Sequence, residues 1–259
     1  MTSNNLKIES AFITGAAHGI GAAFARKLAA ENARLWLVDK EHDALMALTE
    51  ELRTRGATAV EPIVANLANS TDQDSLVDIL RNLTHLDLLI NNAGFGKPGS
   101  FHDQLPEIIL EMLHVHMNAP ARFSHAALPA MIARRKGAII NVCSLAQSLP
   151  FSGLYGATKT FLYTFSKMLH RDVSKHGIKI QALVPGYTST AFHNAGHYVG
   201  EKHRIPNFLW SSADVVAGVS LRDLSSAKFE CVPGALNRCM AFILRHGLYS
   251  SRLAQRWVV

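Results

Sequence analysis

Cysteine is scarce in this chain of 259 residues: there are three, Cys143, Cys231 and Cys239, with no CxxC spacing. An odd count so spaced excludes a disulfide framework or zinc ribbon, and the expected compartment is a reducing, cytoplasmic one. Charge is sparse too. Asp, Glu, Lys and Arg make up 18% of residues, below the ~25% usual for globular chains. The 26 Lys and Arg against 20 Asp and Glu leave a net +6, a mild excess whose one cluster is Arg238, Arg245, Arg252 and Arg256. No basic stripe with interleaved aromatics and no recognition helix accompanies it, so no nucleic-acid partner is expected. No apolar run reaches roughly 18 residues, so no membrane span is expected. Met1 to Glu9 lacks the charged-then-apolar pattern of a signal peptide. What the chain does have is apolar residues: 48% are hydrophobic, enough for a packed core and too many for a disordered chain.

Short apolar runs alternate with longer segments of helical period. Ile8–Thr14, Arg34–Asp39, Thr58–Val64, Leu86–Asn91, Ala138–Val142 and Ile178–Val184 read as strands. Helices are expected over Gly19–Ala30, Asp43–Leu52 (stopped by Gly56), Asp72–Leu83 (capped by Ser70 or Thr71), Pro106–Arg134 as one long stretch, and Tyr155–His176. Continuous rather than alternating apolar strands between helices imply a parallel sheet covered on both faces. No linker, repeat or low-complexity tract interrupts the alternation. The expectation is an α/β, doubly wound, Rossmann-like parallel sheet in three layers, a single domain over 1–259. In such sheets ligands sit outside the carboxyl ends of the strands.

At the end of the first strand stands Thr14-Gly15-Ala16-Ala17-His18-Gly19-Ile20-Gly21. Glycines let the backbone turn tightly and approach a ligand, and the helix N-terminus offers N–H groups to a pyrophosphate. The spacing is G-x-x-x-G-x-G rather than G-x-G-x-x-G, so a glycine turn that only packs helix on sheet is the competing explanation. Asp39 ends the second strand, where a carboxylate accepts ribose hydroxyls and repels a 2′-phosphate. That favours NAD over NADP, although Lys40 follows directly.

Tyr155 and Lys159 lie four residues apart, hence on one face of a helix. A nearby ammonium favours the phenolate and makes the phenol a usable acid/base. Tyr163 and Lys167 repeat the spacing, but eight residues rotate the face by roughly 80°. Both pairs cannot serve one site, and Tyr155, at the helix start near the strand ends, is the choice.

Taken with Asn91-Asn92-Ala93-Gly94 after strand four, Asn118, Ser144 after strand five and Pro185-Gly186-Tyr187-Thr188-Ser189-Thr190 after strand six, this set resembles the short-chain dehydrogenase/reductase family, in its single-domain branch. The resemblance runs from strand one to about residue 192. It implies that Tyr155 is the general acid/base and that Lys159 holds the nicotinamide ribose and lowers the tyrosine pKa. It implies that Ser144 bonds the substrate carbonyl and that Asn118 helps hold a water behind Lys159. Asn92, Ala93 and Gly94 would support the central sheet and the adenosine side. Pro185, Gly186, Thr188 and Thr190 would meet the nicotinamide, and Gly15, His18, Gly19, Ile20, Gly21, Asp39 and Asn66 belong to the cofactor site. Family members are commonly dimers or tetramers, so a homodimer or homotetramer is expected.

Three positions depart from the family pattern. Ser144 precedes Tyr155 by 11 residues, about two fewer than usual for the family. Cys143 stands where a second Ser is common and reads as packing rather than redox chemistry. Asn66 replaces an Asp that touches adenine. The reading is an NAD(P)-dependent oxidoreductase interconverting an apolar secondary alcohol and ketone. The alternative is a cofactor-binding sensor or scaffold without catalysis.

Residues 187–212 read as a substrate lid. His193 and His197 have metal-ligand spacing, but no third and fourth ligands complete a set, so no metal is expected. His114 and His116 read as packing or solvent-facing beside Asn118. Ser211 to Asp214 reads as a helix cap, and Phe229 to Val232 as a seventh strand. The extension 233–259 carries an amphipathic stretch, Ala235 to Leu248, with Leu236, Met240, Ile243 and Leu244 on one side. It is expected to dock on this domain or another subunit rather than on a membrane surface.

Overall fold

In the computed structural model, which describes residues 7–57, 59–97, 99–149, 152–190, 206 and 209–245, the apolar runs become strands. β1 (Ser10–Thr14), β2 (Arg34–Asp39), β3 (Val60–Val64), β4 (Leu88–Asn91), β5 (Ala138–Val142) and β6 (Lys179–Leu183) alternate with α1 (Gly19–Ala30), α2 (His42–Thr54), α3 (Ser70–Asn82), α4 (Pro106–Leu113), α5 (Ala119–Arg134) and α6 (Gly153–Val173). A short parallel pair, β7 (Thr188–Ser189) and β8 (Ser211–Ser212), leads to α7 (Ala213–Ser225), β9 (Glu230–Cys231) and α8 (Ala235–Arg245). Among the described residues, seven parallel strands lie in the order β3-β2-β1-β4-β5-β6-β9. The chain reverses its direction of travel between β1 and β4, which opens a crevice at their carboxyl ends.

Alternation along each strand feeds two cores. Ala11, Ile13, Leu35, Leu37, Leu88 and Ile90 pack on the face covered by α1, α2 and α7. Phe12, Trp36, Val38, Leu89 and Ile139 pack on the face covered by α3 and α5, where the Phe12 and Phe123 rings meet edge-on at 6.4 Å. Every residue of β1, β4 and β5 is buried, so these strands have no solvent face to alternate toward. The expected three-layer α/β arrangement is present.

Two local expectations need correction. The stretch Pro106–Arg134 is not one regular helix: a five-residue π turn, His114–Asn118, separates α4 from α5. Pro120 supplies the cause, because it has no N–H for the His116 carbonyl four residues back, and the Ala119 N–H reaches His114 O instead. The cap of α3 is Asn69, whose Oδ1 accepts the Thr71 N–H at 2.8 Å, rather than Ser70 or Thr71. The cap expected at Ser211 to Asp214 forms on Ser212, whose hydroxyl accepts the Val215 N–H.

The proposed lid 187–212 lies mostly outside the described residues, as do His193 and His197, but its two ends are joined by the β7–β8 pair. Residues 246–259 are also outside them. α8 forms within the amphipathic stretch, over Ala235–Arg245. Asn237 and Ala241 face inward, whereas Leu236 and Ile243 are exposed together with Phe242. No described helix is long and apolar enough to cross a membrane.

Candidate active site

The glycine turn forms a backbone cradle at the carboxyl end of β1. Gly19 opens α1 at φ +55, and a β-carbon there would lie 2.8 Å from Thr190 Cγ2. Thr190, from the loop after β6, therefore closes over the turn in space only glycine leaves free. Gly21 packs still closer, since its β-carbon would lie 2.1 Å from Gly15 O. The Asn92 amide donates to Thr14 O at 2.9 Å and Gly15 O at 2.8 Å. The Asn92 and Ala93 N–H groups both donate to Thr14 Oγ1, at 3.0 and 3.1 Å. Asn92 and Ala93 thus fix the turn itself, and Thr14, which sequence reasoning passed over, is the hinge of that clamp. The first turn of α1 holds no acidic residue, so the positive end of the helix, with the N–H groups around Gly19, Ile20 and Gly21, suits a phosphate.

Asp39 ends β2 beside this cradle. Its Oδ2 accepts the Ala17 N–H at 2.9 Å and its Oδ1 accepts the Glu41 N–H at 3.1 Å, which locks the carboxylate in place. His18, the cap residue of α1, is exposed and pairs with Glu41 at 3.1 Å. Lys40 lies 3.8 Å from Glu111 of α4. Asn66 is exposed after β3, and its Oδ1 is taken by the Ala68 N–H, leaving the amide NH₂ as what it offers a ligand. The cradle, the helix terminus and the Asp39 carboxylate together fit a dinucleotide.

At the neighbouring strand ends α6 brings Tyr155 and Lys159 together: Lys159 Nζ is 5.7 Å from the Tyr155 ring centroid. Lys159 is only 4% exposed, and burial pushes its pKa down to about 8. One ammonium donor goes to Val142 O at 2.9 Å, at the end of β5. The second pair is elsewhere: Tyr163 packs on Phe229 at 5.9 Å between ring centroids. α6 is pinned by a buried amide chain, in which Asn91 Nδ2 donates to Asn141 Oδ1 and Asn141 Nδ2 donates to Ser166 Oγ, both at 2.8 Å. Truncating Asn141 would remove both bonds, at about 0.5–1.5 kcal/mol each, since Ser166 Oγ keeps Leu162 O at 2.6 Å and Asn91 Nδ2 keeps Ser124 Oγ at 3.4 Å. An Asn inside the apolar run of β5 was the available signal for this chain.

Ser144 follows β5, half-buried, its Oγ accepting the Ala146 N–H at 3.2 Å and capping a short helical turn. The shortened loop is closed by Ser152, whose hydroxyl reaches both Ala146 O and Leu149 O at 2.7 Å. Leu145 N–H donates to Pro185 O, which joins the β5 and β6 loops. Gly186 packs on Asn237 of α8, and Thr188 Oγ1 donates to Gly186 O. Cys143 is buried, its thiol pushed up to about 12, an inert packing residue.

Asn118 is not brought to this corner. It is exposed at the end of the π turn, and His116 is the residue beside Tyr155 and Lys159. The His116 ring lies edge-on to Tyr155 at 5.7 Å and to Phe95 at 5.5 Å. A β-carbon on Gly94 would meet His116 Nε2 at 3.2 Å and Lys159 Nζ at 3.3 Å, so both nitrogens crowd one side of Gly94. Steps of four back from Met131, Ala127 and Phe123 reach Ala119 and Val115, which share their core, so helical spacing alone did not single out His116, and it is the π turn His114–Asn118 that holds it. No group of three or more His, Cys, Asp or Glu suited to a metal occurs among the described residues.

A short chain dehydrogenase family model matches residues 9–197. The chain is 33% identical over 186 residues to dehydrogenase/reductase SDR family member 7B of Bos taurus, covering 69% of this chain and 57% of that protein. It thus spans little more than half the length of that relative. Among solved structures, it is similar to a short-chain dehydrogenase from Sphingobium yanoikuyae in complex with NADPH, at TM-score 0.83 and 29% identity over 95% of this chain and 100% of that one. The bulky-bulky ketone specific alcohol dehydrogenase from Comamonas testosteroni superposes at TM-score 0.79 with 26% identity, covering 99% and 100%.

Proposed function

The chain belongs to the short-chain dehydrogenase family, and from that premise we propose that it interconverts an apolar secondary alcohol and the matching ketone, with Tyr155 as general acid/base. One observation carries this reading: a buried lysine stands against the Tyr155 ring, at the strand ends, beside a glycine cradle shaped for a dinucleotide. A bound nicotinamide supplies the hydride chemistry. The chain's own residues supply the proton and the geometry. Tyr155 gives its phenolic proton to the developing alkoxide, or takes it in the reverse direction. Lys159, with one ammonium donor on Val142 O, keeps the phenolate form accessible and holds the nicotinamide ribose. Ser144 donates to the substrate oxygen from the end of β5. Thr188 and Thr190 close the nicotinamide side. The ketone named for the Comamonas enzyme supports this substrate class.

The preferred cofactor in this reading is NAD. Asp39, held by two backbone N–H groups, and Glu41 beside it place negative charge where a 2′-phosphate would sit. Like charges at about 4 Å cost on the order of 1 kcal/mol or more. NADH should therefore bind at least about fivefold more tightly than NADPH in a fluorescence titration. Asp39→Asn, which keeps an acceptor for Ala17, should remove most of that difference. A wild-type preference for NADPH, or an unchanged preference in the variant, overturns the assignment. A panel of bulky apolar ketones with the better cofactor then tests turnover itself, and tight cofactor binding without turnover favours the sensor alternative.

The assembly proposed is a homodimer or homotetramer. Leu105 and Leu110 near and on α4 and Met168 on α6 expose apolar side chains that such a contact would cover. A monomer mass by light scattering removes this part. The described cysteines are all free thiols.

A further inference from the structure

His116 is the one buried imidazole at the Tyr155–Lys159 corner among the described residues, and the reaction as proposed gives it no task. Its hydrogen bonds fix its chemical form. The Phe95 N–H donates to Nε2 at 3.0 Å, so that nitrogen carries a lone pair. Nδ1 lies 2.9 Å from Thr158 Oγ1, whose own proton goes to Tyr155 O at 2.8 Å. Nδ1 is therefore the donor, and a continuous chain runs from Phe95 through the ring and Thr158 to the backbone of Tyr155. A second proton on the ring would break the Phe95 bond. Burial and the Lys159 cation both push its pKa well below that of an ordinary histidine. Among the described residues, the ionisable groups around the ring are Lys159 and Tyr155 from α6 and, behind Lys159, Cys143 at the end of β5.

We infer that His116 is a positioning residue: as a neutral Nδ1–H ring it ties the loop after β4 to the first turn of α6, so that Tyr155 and Lys159 keep one fixed register beside Gly94. The inference rests on the proposed role of that pair. The β4 loop belongs to the cofactor side and the α6 turn to the proton-transfer side, and no other described side chain hydrogen-bonds both Phe95 and Thr158. The ring also holds the space behind Lys159 without adding charge, leaving Lys159 the only cation at the corner among the described residues. A protonated imidazole there would repel the ammonium that Tyr155 depends on.

Two arms test this, and only one needs turnover. Nitrogen NMR of the cofactor-free protein, with His116 assigned by its loss in His116→Gln, should show a protonated Nδ1 and a bare Nε2 throughout pH 6 to about 8. A charged ring or the Nε2–H form in that range overturns the inference whatever the catalytic outcome. In the kinetic arm, His116→Phe keeps a ring but neither bond, and Thr158→Val cuts the chain at its middle. Each should lower kcat by about 10-fold to 100-fold with KM nearly unchanged, as small misplacements of reacting groups do. His116→Gln, which can still accept from Phe95 or donate to Thr158, should recover a large part of the loss. Retained NADH binding reports folding of each variant. Wild-type kcat and pH profile in both Phe and Val variants, or equal loss in Gln and Phe, contradicts a positioning role. If the wild type itself turns over no ketone, the proposed reaction fails while the NMR arm still decides the form of His116.

Discussion

Tyr155→Phe is expected to lower kcat by about 10²–10⁴-fold, the range that a positioned acid/base contributes. The ring stays, with its edge-on contact to His116, and only the hydroxyl is lost. Cofactor affinity should therefore hold within about twofold, since the cradle at Gly15 to Gly21 and the Asp39 carboxylate are elsewhere. Stopped-flow turnover together with a fluorescence titration separates the two quantities. Tyr163→Phe serves as the control. Tyr163 packs on Phe229 away from the cleft, and its loss of hydroxyl should leave kcat unchanged. A fully active Tyr155→Phe enzyme would remove Tyr155 from the chemistry.

Lys159→Met should abolish the same turnover and yet make the protein more stable. In the folded chain burial pushes the lysine pKa down to about 8, against about 10.4 for a free lysine. At neutral pH the folded protein carries a cation that its surroundings disfavour, and the unfolded chain carries it at no cost. Between about pH 8 and 10.4 the unfolded chain binds more proton than the folded one, so stability rises with pH across that window. The cost relieved is up to about 3 kcal/mol. Methionine has similar length and no charge, but it leaves Val142 O without its donor, so the net gain expected is about 1–2 kcal/mol. Urea unfolding at pH 7 and pH 10 measures this. The variant should exceed the wild type at pH 7, and the gap should close by pH 10. A destabilised variant at pH 7 would mean the ammonium is better solvated than its burial indicates. In the proposed mechanism the sign reverses: the Lys159 cation proposed to help Tyr155 is present below about pH 8 in the cofactor-free protein and fades above it. Activity and stability at Lys159 therefore oppose each other, as buried charges kept for function do.

The sheet was legible because its strands are short, apolar and separated by helical periods, a pattern with few folded solutions. The cradle was legible because glycine spacing has a direct steric meaning, visible in Gly21 against Gly15 O. The expectation at Asn118 came from the family resemblance rather than from packing. Asn118 is exposed, and the π turn His114–Asn118 breaks the phase by which helical spacing would have located His116. The π turn was hidden because Pro120, in the first turn of α5, also reads as an acceptable helix start. The Asn69 cap was missed because Ser70 and Thr71 are equally good capping types one and two residues on. Burial of Lys159 could not be read at all. A Tyr-x-x-x-Lys spacing says that two side chains share a face, and only the packed β5 end says that this face is dry.

The proposed mechanism depends most on whether Lys159 makes the Tyr155 phenol acidic. Ultraviolet titration of tyrosinate, taken as wild type minus Tyr155→Phe, measures that ionisation without any substrate. It should report Tyr155 ionising clearly below the ~10 of a free tyrosine, and Lys159→Met should raise the midpoint again by at least about tenfold in acidity. A Tyr155 that ionises at or above the ordinary value, or a midpoint indifferent to Lys159, would contradict the mechanism.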